Sequence, residues 1–406
     1  MGTSGANVAI LGINLLTGVI TARLLAPDGR GALAAITMWP QFLGFALGFG
    51  IPTALVYHNQ QGIHTRRHLV SAASWGGLIA GGLGAIIGTL LLPWLLTSYS
   101  RDVVRVAQAC MIFTPFGLLL NILSSAFLQE GTIARYNYVR LAVPVVTLAV
   151  LALLAVTRQM SVEAAALAYL LPNIPVTLWA VRTVNQQIGF TAKPDLSATK
   201  ALLSYGLRYY GAEVAGTLSS QLDRVLVVWL LTPAAMGLYV VALSFSRVFQ
   251  QLPVSIATVL LPKAASKTPQ EAINLSFKVA LIAAVLSLGL ALPALLFGSF
   301  FLRVFFGGEF AAANNAFVVL TIEAVVGGVA IVLGQAFLAI GRPARMSFYQ
   351  IVGLATIAPL LLWLGPRYGI VGAGLSMLGS TTIRVILMLY GIMQLRRSLR
   401  NSGATA

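Results

Sequence analysis

Ala126-Phe127-Leu128-Gln129-Glu130-Gly131-Thr132-Ile133-Ala134-Arg135 returns later in the chain as Ala336-Phe337-Leu338-Ala339-Ile340-Gly341-Arg342-Pro343-Ala344-Arg345. Six of the ten positions match, at an offset of 210. Leu24-Leu25-Ala26-Pro27 followed by Gly31 returns as Leu230-Leu231-Thr232-Pro233 followed by Gly237, at an offset of 206. The chain therefore reads as one unit of about 200 residues written twice. In a strongly apolar chain, such a duplication is the pattern of a carrier built from two halves.

Of the 406 residues, 58% are hydrophobic and only 9% are charged. Soluble domains carry roughly 25% charged residues, so most of this chain belongs in lipid. A spanning helix needs ~20 predominantly apolar residues. About twelve stretches qualify: 6–24, 32–57, 69–97, 103–129, 138–157 and 161–184, then 202–231, 234–262, 275–302, 311–340, 346–365 and 369–394. The two Ala-Phe-Leu motifs end the fourth and tenth of these, an even number of crossings apart. Both then fall on one membrane face, which makes the halves parallel repeats. The expected fold is an all-α polytopic membrane protein with about 12 transmembrane helices in two parallel six-helix lobes. The expected N-lobe is 1–184, and the polar stretch 185–199, with Lys193, Pro194 and Asp195, is the linker. The C-lobe is 200–406 with a short basic tail.

The formal net charge of +16 does not read as a nucleic-acid footprint, because the basic residues punctuate the loops. Of 26 Lys and Arg, 15 fall on one set of loop ends and the tail, seven on the other, and four within spans. The positive-inside rule then places both termini in the cytoplasm. The first span lacks the features of a cleaved signal peptide, since the first charge is Arg23. One cysteine, Cys110, excludes a disulfide framework and any cysteine-based metal site. His64 and His68 have the spacing of metal ligands, but no carboxylate or cysteine completes a site beside Arg66 and Arg67. No metal and no cofactor is expected.

Glycines recur as Gly77-x-x-x-Gly81 and Gly84-x-x-x-Gly88, a spacing that lets helices approach closely. Prolines 40, 52, 115, 144, 172, 175, 253, 293 and 359 sit within or near the ends of spans, where each removes a backbone donor.

Charge inside a bilayer is expensive and marks function by default. Here it is confined to the second half: Arg208, Glu213, Asp223 and Arg224 in the seventh span, Arg247 with Gln250 and Gln251 in the eighth, Glu323 in the tenth and Arg384 in the twelfth. The first half offers mainly Asn14, Asn121 and Asn173. Arg247 and Gln251, four apart, share one face of an α-helix, where a guanidinium suits a phosphate and an amide suits a sugar hydroxyl. The candidate substrate-binding residues are Arg208, Arg224, Arg247, Gln251 and Arg384. Glu213, Asp223 and Glu323 are the candidate ion-coupling residues, for a proton or a monovalent cation. The alternative for these charges is a structural lattice, for example Arg384 with Glu323. No phosphate-binding Gly-x-x-x-x-Gly-Lys loop and no Gly-x-Ser-x-Gly elbow occurs, and no long aqueous loop could carry an enzyme's acid and base groups. The chain reads as a non-enzyme.

Arg23-Leu24-Leu25-Ala26-Pro27-Asp28-Gly29-Arg30-Gly31 resembles the segment after the first helix of polysaccharide flippases of the multidrug/oligosaccharidyl-lipid/polysaccharide exporter superfamily. Leu222-Asp223-Arg224 with Gly237-Leu238-Tyr239, Leu261-Pro262, and Tyr368-Gly369-Ile370 with Gly372-Ala373 are similar to later segments of the same proteins. The resemblance implies a two-lobed carrier around a cationic central cavity. It would move undecaprenyl-diphosphate-linked oligosaccharide outward across the bacterial inner membrane by alternating access. The implied partners are that lipid-linked substrate and membrane lipids, and the expected state is a monomer. A drug/cation antiporter of the same superfamily is the alternative, disfavoured by the net basic set of buried charges. A membrane-embedded polymerase or ligase is a more distant one.

Overall fold

The computed structural model describes residues 3–61, 65–129, 133–191 and 195–403; the side chains of 3–4, 60, 128–129, 133, 208–223 and 398–403 lie outside that description. Fourteen helices make up the described chain: α1 (Thr3–Ala46), α2 (Ile51–Gln61), α3 (Arg66–Leu95), α4 (Arg101–Cys110), α5 (Thr114–Gln129), α6 (Ile133–Val156), α7 (Val162–Leu170), α8 (Asn173–Gln187), α9 (Leu196–Leu230), α10 (Pro233–Ser246), α11 (Gln251–Ala265), α12 (Pro269–Phe306), α13 (Asn314–Ala339) and α14 (Pro343–Gly403). Among the described residues, nine helical segments are long and apolar enough to cross a membrane. The protein is thus all-α and multi-pass.

The two longest of the nine are too long for one crossing. Gly5–Ala46 has 42 residues and Pro343–Arg397 has 55. At 1.5 Å per residue these would measure roughly 60 and 80 Å against a hydrocarbon core of about 30 Å. Each is two helices joined at a kink, at Ala26 (φ 56°, ψ 178°) and at Gly369 (φ 56°, ψ −131°). Both kinks fall in the motifs Leu24–Gly31 and Tyr368–Ala373 singled out in the sequence.

Other spans are interrupted partway, and proline explains where. A proline cannot donate to the carbonyl four residues back, and its ring crowds that turn. The breaks are Leu47–Gly50 before Pro52, a 3₁₀ turn Met111–Phe113 before Pro115, Leu171–Pro172 before Pro175, and a 3₁₀ turn Arg247–Gln250 before Pro253. Pro40, Pro144 and Pro359 lie inside unbroken helical stretches, while Pro293 lies one turn before a kink of α12 at Phe297 (φ −118°, ψ 26°).

The chain forms two compact units, Met1–Val214 with Thr232–Gly237, and Ala215–Leu231 with Leu238–Ala406. The first is built around Leu55, Leu69, Ile122 and Phe127, the second around Ile273, Val332, Leu333 and Phe337. In α3 size decides orientation. Gly77, Gly81, Gly84 and Gly88 are buried, the first against Ile122, the second against Pro115 and the last against Met111. Ile79, Leu83, Ile86, Leu90 and Trp94 form the opposite, exposed stripe. Lipid is as apolar as leucine, so close backbone packing decides which face turns inward. In the second unit, buried Tyr239 donates its hydroxyl to Met377 Sδ at 2.9 Å.

Outside the apolar spans, the expected linker is tied to α3. Thr191 N–H donates to Ser71 Oγ, Arg67 donates to the Phe190 carbonyl, and His68 Nδ1 lies 3.2 Å from Asp195 Oδ2. Asp195 also accepts from the hydroxyl and N–H of Ser197, which hold its carboxyl below the ordinary range.

The two copies of the Leu-Leu-x-Pro-x-x-x-Gly motif meet within the first unit. A methyl group on Gly31 would be driven into the Pro233 carbonyl, and one on Gly237 into the Pro27 carbonyl. The contact is reciprocal, as expected where repeated segments cross about a local two-fold axis. Gly31→Leu and Gly237→Leu are each expected to lower the unfolding temperature of the detergent-solubilised protein. The cost is at least the ~1–3 kcal/mol of an overpacked core. Gly12→Ala, where the added methyl meets open space, is expected not to lower the unfolding temperature. Equal melting curves for all three would show that the crossing does not matter to the fold.

Candidate functional site

The 3₁₀ turn between α10 and α11 carries Arg247 and Gln250. In a 3₁₀ turn, residues three apart eclipse one another. Arg247 Nη1 accordingly donates to Gln250 Oε1 at 2.8 Å. The same nitrogen lies 3.8 Å from Glu323 Oε2 on α13. The Glu323 side chain is only 4% exposed and that of Arg247 26%. Thr381 of α14 donates its hydroxyl to the other carboxylate oxygen, Oε1, at 2.9 Å. One turn further along α14, Arg384 lies close enough to feel the charges of both Glu323 and Arg247. Its stem packs 3.6 Å from the Cβ direction of Gly353, and its Nε is buried with no hydrogen-bond partner among the described residues. Gly327, one turn after Glu323, leaves room for the Gln250 amide: a methyl there would approach Nε2 to 2.8 Å.

Among the described residues the cluster holds two guanidinium groups and one carboxylate, a formal charge of +1, within the second unit. A 3.8 Å ion pair contributes attraction without a direct hydrogen bond. Arg247 therefore spends one of its five N–H donors on Gln250 and keeps others for an anion. An excess cation with spare planar donors is chemically suited to phosphate.

Of the residues singled out in the sequence, Arg247, Glu323 and Arg384 come together. The expectation that Gln251 shares Arg247's face rested on α-helical spacing. Because the backbone tightens to 3₁₀ there, the amide at Arg247 is that of Gln250. Gln251 instead opens α11, where its carbonyl accepts from Ser255 Oγ. Among the described residues, Arg224 on α9 has no hydrogen bond or ion pair to the cluster. The side chains of Arg208, Glu213 and Asp223 lie outside the described residues. So does Gly131, while its counterpart Gly341 takes a positive φ of 71°. Thr381 and Gly327 were not singled out. The three-residue spacing of Thr381 and Arg384 was the available signal, since it puts both on one helical face. Among the described residues, no three metal-ligating side chains converge.

A multi-pass helical membrane protein with a net basic cluster inside its apolar helices is the class defined by these features. The chain belongs to the polysaccharide biosynthesis protein family, whose profile matches residues 3–268. It is similar to a probable low-salt glycan biosynthesis flippase, Agl15, of Haloferax volcanii, at 23% identity over 234 residues, or 55% of this chain. The match spans about half, 48%, of that relative's length. The fold is similar to that of a lipid II flippase, MurJ, in an inward closed conformation, with TM-score 0.82 and 14% identity over 96% of this chain and 87% of that one. It is also similar to an inward-facing multidrug resistance MATE family transporter of the MOP superfamily, with TM-score 0.75 and 14% identity over 99% and 96%. At such identities the likeness is one of fold.

The charge lattice sets an order of sensitivity. Removing Glu323 leaves two arginines with no anion among the described residues, whereas removing Arg247 leaves Arg384 as counter-charge. Glu323→Ala is therefore expected to destabilise by about 3–5 kcal/mol, the cost of breaking a buried pair. Arg247→Ala should cost less. Denaturation in detergent measures both, and the reverse order would show that Arg384 does not share the carboxylate.

Proposed function

We propose that this protein is a flippase for a lipid-diphosphate-linked oligosaccharide. Alternating access would move the polar head group outward while the lipid tail stays in the bilayer. The observation that carries this reading is the Arg247–Glu323–Arg384 cluster with its excess positive charge. A mid-bilayer arginine costs at least ~2.5–3.5 kcal/mol on insertion scales. One carboxylate offsets one such charge and leaves the other to bind. Family membership over residues 3–268 and the flippase named in Haloferax volcanii point the same way. A drug/cation antiporter shares the fold, but it needs a net acidic site and this cluster is net basic.

The architecture proposed with it has twelve crossings in two parallel six-helix lobes, 1–184 and 200–406, joined by 185–199 around a central cavity. Splitting α1 at Ala26 and α14 at Gly369, and joining helices across the proline breaks, supports this count. Both termini are proposed to be cytoplasmic in a bacterial inner membrane, on the 15-to-seven bias of basic residues. Arg208, Arg224 and Gln251 remain proposed substrate contacts. Glu213, Asp223 and Glu323 remain proposed sites of coupling to a proton or monovalent cation.

In reconstituted vesicles, Arg247→Lys keeps the charge but loses the planar fork, so partial transport of a fluorescent lipid-diphosphate oligosaccharide is expected. The Arg247→Ala, Arg384→Ala double variant is expected to lose transport at matched protein abundance. Wild-type transport in the double variant would overturn the assignment. A reporter fused after Arg397 should give cytoplasmic signal; periplasmic signal would invert the topology.

A further inference from the structure

The second span of each repeat is broken at a corresponding place. Leu47–Gly50 precedes Pro52 and Arg247–Gln250 precedes Pro253, with the prolines at an offset of 201. Pro52 shares the lining of a cavity with Leu118 on the fourth span of its repeat, and the Pro253 ring packs on Gly328 on the fourth span of the other, 210 residues after Leu118. Interrupted spans at matching positions of two repeats are the best pointer to a carrier's binding site. Irregular backbone at membrane depth is tolerated only where it is buried in protein or lines a wet cavity.

In the second copy the break bears the charged cluster. In the first it lines a cavity of about 290 Å³ with no charged side chain among the described residues of its wall. The backbone there is specialised: Phe49 (φ 47°) and Gly50 (φ 64°) are both left-handed, and Gly50 lies so close to Gly206 that a methyl would come within 2.9 Å of its carbonyl oxygen. Asn121, Thr53 and Ser125 supply the polar wall, with Phe45, Pro52 and Leu118 the apolar one. Ser125 donates its hydroxyl to the Asn121 carbonyl at 3.1 Å, which leaves the Ser125 oxygen to accept. The Asn121 side chain is exposed to the cavity. It lies eight residues, about 12 Å of helix rise, before the end of α5 at Gln129.

We propose that this cavity is the subsite for one uncharged sugar ring of the substrate. The proposal rests on the flippase reading. A hydroxyl both donates and accepts, and an amide with hydroxyls offers both in return. The ring of Phe45 and the Leu118 side chain give the C–H face of a sugar an apolar surface. Among the described residues of this wall a phosphate would find no cation, and a metal ion no carboxylate. The volume lies at the lower end of small-ligand pockets, ~300 Å³, the scale of one sugar ring.

The test measures binding to the full-length protein in nanodiscs with two probes. One is undecaprenyl diphosphate, and the other is the same lipid carrying a single N-acetylglucosamine. Wild type is expected to prefer the glycosylated probe. Asn121→Leu, close in shape, is expected to erase that preference, a loss of roughly tenfold. Its unchanged affinity for the sugar-free probe would certify the fold. No preference in the wild type, or an unchanged ratio in Asn121→Leu, overturns the proposal. If Asn121→Leu binds neither probe while the wild type binds both, Ser125→Ala decides by the same ratio. If the wild type binds neither probe, the flippase reading itself fails.

Discussion

In lipid a backbone amide or carbonyl has no water to turn to, and this constraint organises the molecule. Each unsatisfied group costs several kcal/mol, so a spanning chain must be helical or must bury its irregularities. Proline removes one donor and frees one carbonyl. The breaks before Pro52, Pro115, Pro175 and Pro253 are the places where the helical ladder was not kept. Two of them gather polar side chains: Thr53, Asn121 and Ser125 at one, Arg247, Gln250 and Glu323 at the other. Polar groups tolerate irregular backbone because they compete for the same hydrogen bonds. Function then has a ready location, set by the backbone before any side chain is chosen.

The charged cluster follows the same logic of mutual satisfaction. Glu323 is nearly sealed from solvent, and its two oxygens divide between the Thr381 hydroxyl and the Arg247 charge. Gly327 and Gly353 leave the space that the Gln250 amide and the Arg384 stem occupy. Two cations against one anion is a poor arrangement for stability alone, because desolvating a charge costs more than an incomplete lattice returns. That imbalance is the strongest physical ground for reading the cluster as a binding device as well as a structural lattice.

Much of this was legible in the sequence. The apolar stretches and the duplicated motifs carried the all-α polytopic class, since hydropathy and length suffice for it. Arg247, Glu323 and Arg384 stood out because charge is rare in lipid. The interruptions were harder to read. Pro40, Pro144 and Pro359 remain inside unbroken helical stretches, while Pro52 and Pro253 follow breaks, and nothing in the apolar runs around them separates the two cases. The 3₁₀ turn at 247–250 moved Arg247's amide partner from the fourth residue to the third. Thr381 was hidden because one hydroxyl in an apolar helix usually satisfies itself on its own backbone, as Thr382 does on the Leu378 carbonyl. The repeat of Pro27–Gly31 in Pro233–Gly237 was visible, but their mutual packing is a tertiary fact.

The duplication also explains why the charges sit in one copy only. At the offsets that align the prolines and the Ala-Phe-Leu motifs, Arg247 corresponds to Ala46 and Glu323 to Phe113. Both members of the ion pair are absent from the first copy together. The carboxylate without any arginine would be an unpaired buried charge, at a cost of about 3–5 kcal/mol, a large part of a typical protein's net stability. Glu323 is therefore disfavoured in the absence of its arginines. The backbone break imposes no such coupling, since Pro52 and Pro253 act through geometry without charge. A duplicated chain under these rules keeps its breaks in both copies and lets their linings diverge: among the described residues, one is uncharged and hydroxyl-bearing, the other cationic. The proposed cargo, with an anionic diphosphate and an uncharged sugar, would use both.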